Sequence, residues 1–348
     1  NSDHVVATPA SRQHNEPDQF GHPGNGREPM SLASTTKPNV SREVSFLAKT
    51  SVSSKLRIRV PDYIELTKPK IAVLALITVS LGFALSAAES GLHHNWWGLL
   101  GNAMLGIGLV AASSSAWNQF IEQRIDGKML RTCRRPLPAG RLAPWEVATF
   151  GSLTAIVGLV WLGCFVNGLT CGLAALTLVL YAGVYTPLKR YTVLNTVVGA
   201  IPGALPPVLG WTAAGGGLDA GAFALFAILF LWQFPHFMAI AWLYRQDYAD
   251  AGLKMIPVND PTGVKTGLTA IGYSLALLPV SWLPAQWGMA GIGYWGAATI
   301  LGVWYVVASV QFLRYKTVPA ARRLLWTSLL YLPALLGALV WDRYQLLS

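Results

Sequence analysis

Asn118, Glu122 and Asp126 recur at four-residue intervals in a polar stretch, Trp117 to Arg141 (WNQFIEQRIDGKMLRTCRRPLPAGR), that separates two long apolar runs. If the preceding helix continues through it, this spacing stacks one amide and two carboxylates on a single face. Hard oxygen donors grouped in this way suit magnesium, which takes one or two protein carboxylates and fills its shell with water and phosphate oxygens. Six basic residues follow or interleave: Arg124, Lys128, Arg131, Arg134, Arg135 and Arg141. Taken alone, the stretch reads first as a solvated helix end whose acids pair with Arg124, Lys128 and Arg131, a kind of pairing worth little.

A second group changes that balance. In WQFPHFMAIAWLYRQDYADAGLK, residues 232–254, Asp247 and Asp250 lie one helical turn apart, with Tyr244, Arg245 and Lys254 beside them. Two acidic clusters on one side of the chain, each next to basic residues, fit a diphosphate bridged to the protein by magnesium. Intramembrane ionisable groups are otherwise too costly to accumulate in this way. Between the two groups, the loop YTPLKRYT supplies Lys189 and Arg190 as a point charge and a fork for a leaving diphosphate; Arg190 reads equally as a topology signal. His236 is the one histidine within an expected span, and lies about three turns before Asp247. A lone core histidine is usually just hydrogen-bonded, but a haem-type macrocycle gives an axial imidazole a reason to stand there.

The elements that must position these residues are membrane helices. The chain has 348 residues, 53% hydrophobic and 12% charged, which excludes an ordinary soluble domain. Apolar runs near 71–88, 97–117, 144–165, 169–187, 193–213, 220–240, 267–286, 290–312 and 324–341 each approach the ~20 residues that cross a bilayer, so an all-α, polytopic fold of about nine spans is expected. Pro187, Pro202, Pro206, Pro207, Pro279 and Pro284 predict kinked or broken helices. The net charge of +10 could suggest nucleic acid, but beyond residue 60 the basic residues fall mainly in short clusters in alternate loops, 118–143, 188–192, 241–266 and 313–323, which argues against it. The intervening loops near 89–96, 166–168, 214–219 and 287–289 have no Lys or Arg, so the N-terminus and the basic loops are expected on the cytoplasmic side and the C-terminus outside.

Residues 1–55 read as a disordered tail ahead of a membrane domain spanning 56–348. The tail has no apolar core of the secretory kind, and its five acids argue against a mitochondrial presequence. A bacterial plasma membrane is therefore expected in preference to a mitochondrial inner membrane. Cys133, Cys164 and Cys171 lack metal-ligand spacing and suggest no redox function. Phosphate-binding, dinucleotide, zinc-protease and hydrolase signatures are absent from the sequence.

Taken together, these motifs resemble the UbiA superfamily of intramembrane prenyltransferases over roughly residues 60–342. Asn118, Glu122 and Asp126 match its first acidic motif, with Glu in place of the more frequent central Asp; Asp247 and Asp250 match the second, whose usual spacing is one residue longer. RTCRRPLPAGR, YTPLKRYTVLNTVVGAIPGALPPVLGW and WQFPHFMAIAWLYRQDYADAG are similar to the branch of that superfamily that prenylates haem. The resemblance implies nine helices around a central cavity and farnesyl transfer from farnesyl diphosphate to a vinyl group of haem b, with water added. It further implies magnesium held by Asn118, Glu122, Asp126, Asp247 and Asp250, with Arg131 and Lys189 in the chemistry. Tyr244, Arg245, Arg135, Arg190, Lys254 and His236 would then hold the substrates. Implied partners are the lipid bilayer and a haem A synthase or terminal oxidase assembly proteins downstream. Two other readings stay open on sequence: a prenyltransferase acting on an aromatic quinone precursor, and a membrane transporter or assembly factor without catalysis.

Overall fold

A computed structural model describes residues 59–90 and 96–347; the tail reading for residues 1–55 lies outside them. Helix is the only regular structure among the described residues, as it must be where lipid offers backbone groups no partner outside a helix or a closed barrel. A short helix α1 (Val60–Leu66) precedes α2 (Pro69–Ser90), α3 (Trp96–Asp126), α4 (Pro144–Phe165) and α5 (Gly168–Leu188). The fifth span is split into α6 (Asn195–Ala204) and α7 (Pro206–Ala213), and α8 (Ala220–Leu243) follows. After the six-residue α9 (Arg245–Asp250) come α10 (Val264–Val280), α11 (Leu283–Gln286), α12 (Ile292–Tyr315) and α13 (Val318–Leu347). Among the described residues nine segments are long and apolar enough to cross a membrane, in the positions the apolar runs predict.

Proline accounts for the discontinuities. Pro206 cannot donate into the preceding turn, so the fifth span restarts there, and Pro284 opens α11 just past the end of α10. Pro202 is instead carried inside α6, and Pro279 inside α10 near its end. Between α1 and α2 the chain turns at Lys68, which has the left-handed φ of +51° that a non-glycine residue adopts only under constraint.

Sequential spans pack side by side, and α13 returns against α2, so the helices close a ring. The proline-broken α6–α7 segment is the most enclosed of the spans. Close backbone approach fixes it to α2: a Cβ on Gly210 would lie 1.9 Å from the Val79 carbonyl oxygen, and one on Gly82 would lie 2.0 Å from that of Pro207. Small residues at such crossings are how membrane helices gain packing energy where lipid is as apolar as leucine. Leu74, Leu153, Ile156, Val160, Ile300 and Val303 are exposed, as lipid-facing side chains should be.

Candidate active site

Helix α3 runs into the polar stretch as far as Asp126. The four-residue spacing therefore places Asn118, Glu122 and Asp126 on one face, and all three are buried, at 1%, 6% and 0% exposure. This rules out a solvated helix end. Asn118 donates through Nδ2 to Glu122 Oε2 at 2.9 Å and to Thr186 Oγ1 at 3.1 Å. The Thr186 hydroxyl in turn donates to the Tyr181 carbonyl at 2.8 Å, so α5 fixes the amide's orientation.

Each of the three residues has its own cation. Lys68 Nζ donates to Asn118 Oδ1 at 2.6 Å, Lys189 Nζ to Glu122 Oε1 at 2.8 Å, and Arg135 to Asp126 Oδ2 at 2.7 Å. The other carboxylate oxygen, Asp126 Oδ1, is buried without a hydrogen-bond partner among the described residues. A buried carboxylate oxygen left without a donor is expensive. Such an oxygen, beside a second carboxylate and an amide oxygen, is a donor set that fits a hard cation. No group of three or more His, Cys, Asp or Glu side chains able to hold a metal occurs among the described residues. Two carboxylates are nonetheless enough for magnesium, which keeps several waters.

These residues line a cavity of about 280 Å³ together with Met129, Arg131, Thr132, Tyr181, Tyr185, Tyr248, Leu253 and Met255. Four cationic side chains, Lys68, Arg131, Arg135 and Lys189, face two carboxylates, Glu122 and Asp126. The surplus of positive charge suits a polyanion more than a lone metal ion. Burial, reinforced by repulsion from Arg135 and Lys189, lowers the Lys68 ammonium to about 7. Lys189 is driven the other way: burial works to lower it, but the Tyr185 phenol oxygen and the Glu122 carboxylate outweigh burial and hold it protonated. Its ammonium also sits 4.5 Å from the centre of the Tyr185 ring.

Three loops are stitched together above the cavity. Ile125 and Met129 pack on Ala251 and Leu253. Lys254 N donates to the Lys189 carbonyl at 2.9 Å, and the Asn195 amide donates to the Lys254 carbonyl at 2.8 Å. Arg131 lies over the Tyr244 ring at 4.8 Å and the Tyr248 ring at 5.8 Å, linking the loop after α3 to α9.

Of the residues singled out by sequence, Asn118, Glu122, Asp126, Arg131, Arg135 and Lys189 meet in this cavity. The others do not line it. Asp247 is half-buried on α9, and Asp250 is exposed and takes a hydrogen bond from Gln246. Tyr248, one of the two residues between them, faces the cavity instead. Arg245 folds back over the Trp242 ring at 4.4 Å, Arg190 donates to the Ile121 carbonyl, and Lys254 is exposed. Tyr244 serves as a platform for Arg131. His236 lies against α13: its Nδ1 is 2.8 Å from Ser328 Oγ, and its ring stacks on Trp232.

Sequence reasoning missed Lys68, Tyr181, Tyr185 and Tyr248. Tyr181, Tyr185 and Lys189 repeat every four residues, a signal that was there to read. The segment carrying the two tyrosines, Val179–Tyr185, is wound as a π-helix, a distortion frequent at functional sites.

The model of the UbiA prenyltransferase family matches residues 75–332. A protoheme IX farnesyltransferase from Solibacter usitatus is 46% identical over 292 residues, covering 81% of this chain and 98% of its own. One from Koribacter versatilis is 42% identical, covering 84% and 95%. Among solved structures, a digeranylgeranylglyceryl phosphate synthase superposes with a TM-score of 0.70 at 18% identity, over 83% of this chain and all of that one. A UbiA homologue from Archaeoglobus fulgidus bound to GPP and Mg2+ gives 0.56 at 16% identity, over 80% and 99%. At such identities the two structures establish a common fold.

Proposed function

This chain belongs to the UbiA prenyltransferase family, and on that premise we propose that it transfers the farnesyl group of farnesyl diphosphate to a vinyl carbon of haem b, with addition of water. The products are haem O and diphosphate. The observation that carries this reading is the polyanion-sized cavity of four cations and two carboxylates, in a chain 46% identical to a relative that bears the name of this transfer.

Asn118, Glu122 and Asp126 are the residues proposed to hold magnesium, with the partnerless Asp126 Oδ1 as the first donor. When bound, the ion neutralises the leaving diphosphate and templates its departure. Asp247, half-buried beside Tyr248, is proposed to act through bound water, with Asp250 farther out. Lys68, Arg131, Arg135 and Lys189 bind the diphosphate oxygens and stabilise the charge that grows there as the C–O bond breaks. Arg190, Arg245 and Lys254 contribute field at the entrance rather than contacts, and Tyr244 holds Arg131 in place. The Tyr181 and Tyr185 rings offer π-faces to the allylic cation, an interaction worth about 2 kcal/mol where water is excluded. The vinyl carbon then attacks C1 of that cation.

His236 is proposed as the haem ligand. The Ser328 hydroxyl at Nδ1 fixes the ring and leaves Nε2 for iron, the outer-shell arrangement common to metal-bound imidazoles. The protein is a multi-pass membrane protein. The charge pattern of its loops supports a cytoplasmic site and an outward C-terminus, and a bacterial plasma membrane is the proposed location. A haem A synthase or an oxidase assembly protein is the proposed recipient of the product.

A competition experiment tests the acceptor. Purified protein, magnesium and labelled farnesyl diphosphate are given haem b and a hydroxybenzoate together. Label is expected in the haem fraction; label confined to the hydroxybenzoate would move the protein to quinone biosynthesis.

A further inference from the structure

A second, smaller chamber adjoins the diphosphate cavity. It measures about 60 Å³ and shares Tyr185, Tyr248 and Met255 with its neighbour, so two tyrosine rings form the partition between them. Phe237, Met238, Ile240 and Ala241 of α8 make most of its wall apolar. One edge is polar: Asn195 and Thr196, buried at 1% and 7% exposure. That volume is far too small for a porphyrin or a prenyl chain. At roughly 30 Å³ per molecule it suits one or two waters, provided polar partners are present.

The polar edge is held for accepting hydrogen bonds. Asn195 Nδ2 donates to the Thr192 carbonyl at 2.5 Å and to the Lys254 carbonyl at 2.8 Å, so both its N–H groups are used. The amide therefore cannot flip without facing its oxygen to two carbonyls. Its Oδ1 is left 3.5 Å from Thr196 Oγ1, a separation at which the two atoms barely bond to each other. A water set against them can donate to Oδ1 and pair with the Thr196 hydroxyl, keeping a lone pair turned toward the tyrosine partition.

We propose that this chamber stores and orients the water that ends the reaction, with Asn195 and Thr196 as its positioning residues. The proposal rests on the haem-farnesylation reading, and it resolves a conflict within it. An allylic cation must be kept from water until the carbon–carbon bond has formed, yet the product carries a hydroxyl. In the transfer, the C1–O bond of farnesyl diphosphate breaks with its electron pair going to diphosphate. The vinyl π-pair forms the new carbon–carbon bond, leaving a cation on the carbon next to the macrocycle. The stored water adds its oxygen there and releases a proton to a diphosphate oxygen. Without a positioned water the same cation loses a neighbouring proton and gives an alkene lighter by one water.

Product partition is therefore the readout, since a merely structural role changes rate without changing the ratio of alcohol to alkene. Full-length wild type and Thr196→Val are incubated with haem b, farnesyl diphosphate and magnesium, and the farnesylated haems are separated by mass. Thr196→Val is expected to raise the alkene-to-alcohol ratio at least about tenfold, and Thr196→Ser to restore it. Ala241→Leu, which fills the chamber from its apolar wall, should shift the ratio in the same direction and serves if Thr196→Val does not fold. Wild-type partition in both folded variants overturns the water-chamber assignment. Wild type that makes no farnesylated haem at all overturns the underlying function instead.

Discussion

Lys189 and Glu122 face each other at 2.8 Å with side chains 12% and 8% exposed. Removing one member of such a pair strands the other charge in a dry setting and costs about 3–5 kcal/mol, whereas removing both can be nearly neutral. Lys189→Met and Glu122→Gln are each expected to lower unfolding stability by about 3 kcal/mol, and the double variant by less than either. Turnover should be lost in all three, because both groups are proposed to serve the diphosphate and its metal. Additive destabilisation in the double variant would contradict the pairing. The acids of α3 were legible because a period of four on a helix needs no tertiary information. Lys68 was not, since its contact with Asn118 depends on a left-handed turn at φ +51° that no pattern announces. Asp247 and Asp250 have the spacing of a shared face, but α9 has only six residues and presents Tyr248 to the cavity.

At the level of elements, helix α10 shows how the loop over the site is anchored. Asp260 is buried just before it and accepts hydrogen bonds from Thr266 N and Oγ1, both at 2.8 Å, and from Thr262 Oγ1 at 2.9 Å. Burial pushes this carboxyl up, but the bonds from Thr266 and Thr262 outweigh it, and the group lies below the ordinary carboxylate range. Because the folded-state value is lowered, the stabilisation is complete above the unfolded carboxylate pKa of about 4 and is lost as pH falls through the folded value. Hydrogen exchange at the first amides of α10 is expected to accelerate as pH falls below about 4, after correction for intrinsic rates. Asp260→Ala should exchange rapidly at every pH; equal protection in wild type and variant would contradict the anchor. Most spans were readable to within about three residues, because hydropathy over a membrane thickness is a strong signal; the second instead runs on to Asp126 and the ninth starts at Val318, where polar residues hide the helix. The breaks at Pro206 and Pro284 follow from a missing N–H. The π-helix of Val179–Tyr185 does not, as no periodicity distinguishes it from the α-helix on either side.

Across the whole molecule, the ring of spans brings the C-terminal ends of α3, α5 and α8 to one end, and there the loops that follow them close over the cavity. The alternation of charged and uncharged loops foretold that shared end, but not which side chains meet there. In the proposed reading, metal and diphosphate are organised around Asp126, the most deeply buried acid of the site. The most direct test is the mass spectrum of haem recovered after purified wild type or Asp126→Asn is incubated with haem b, farnesyl diphosphate and magnesium. Wild type should yield haem heavier by one farnesyl group and one hydroxyl, and lose that product when magnesium is chelated. Asp126→Asn should be folded and leave haem b unchanged. Haem b unaltered by the wild type, or farnesylated equally well by Asp126→Asn, would contradict the account.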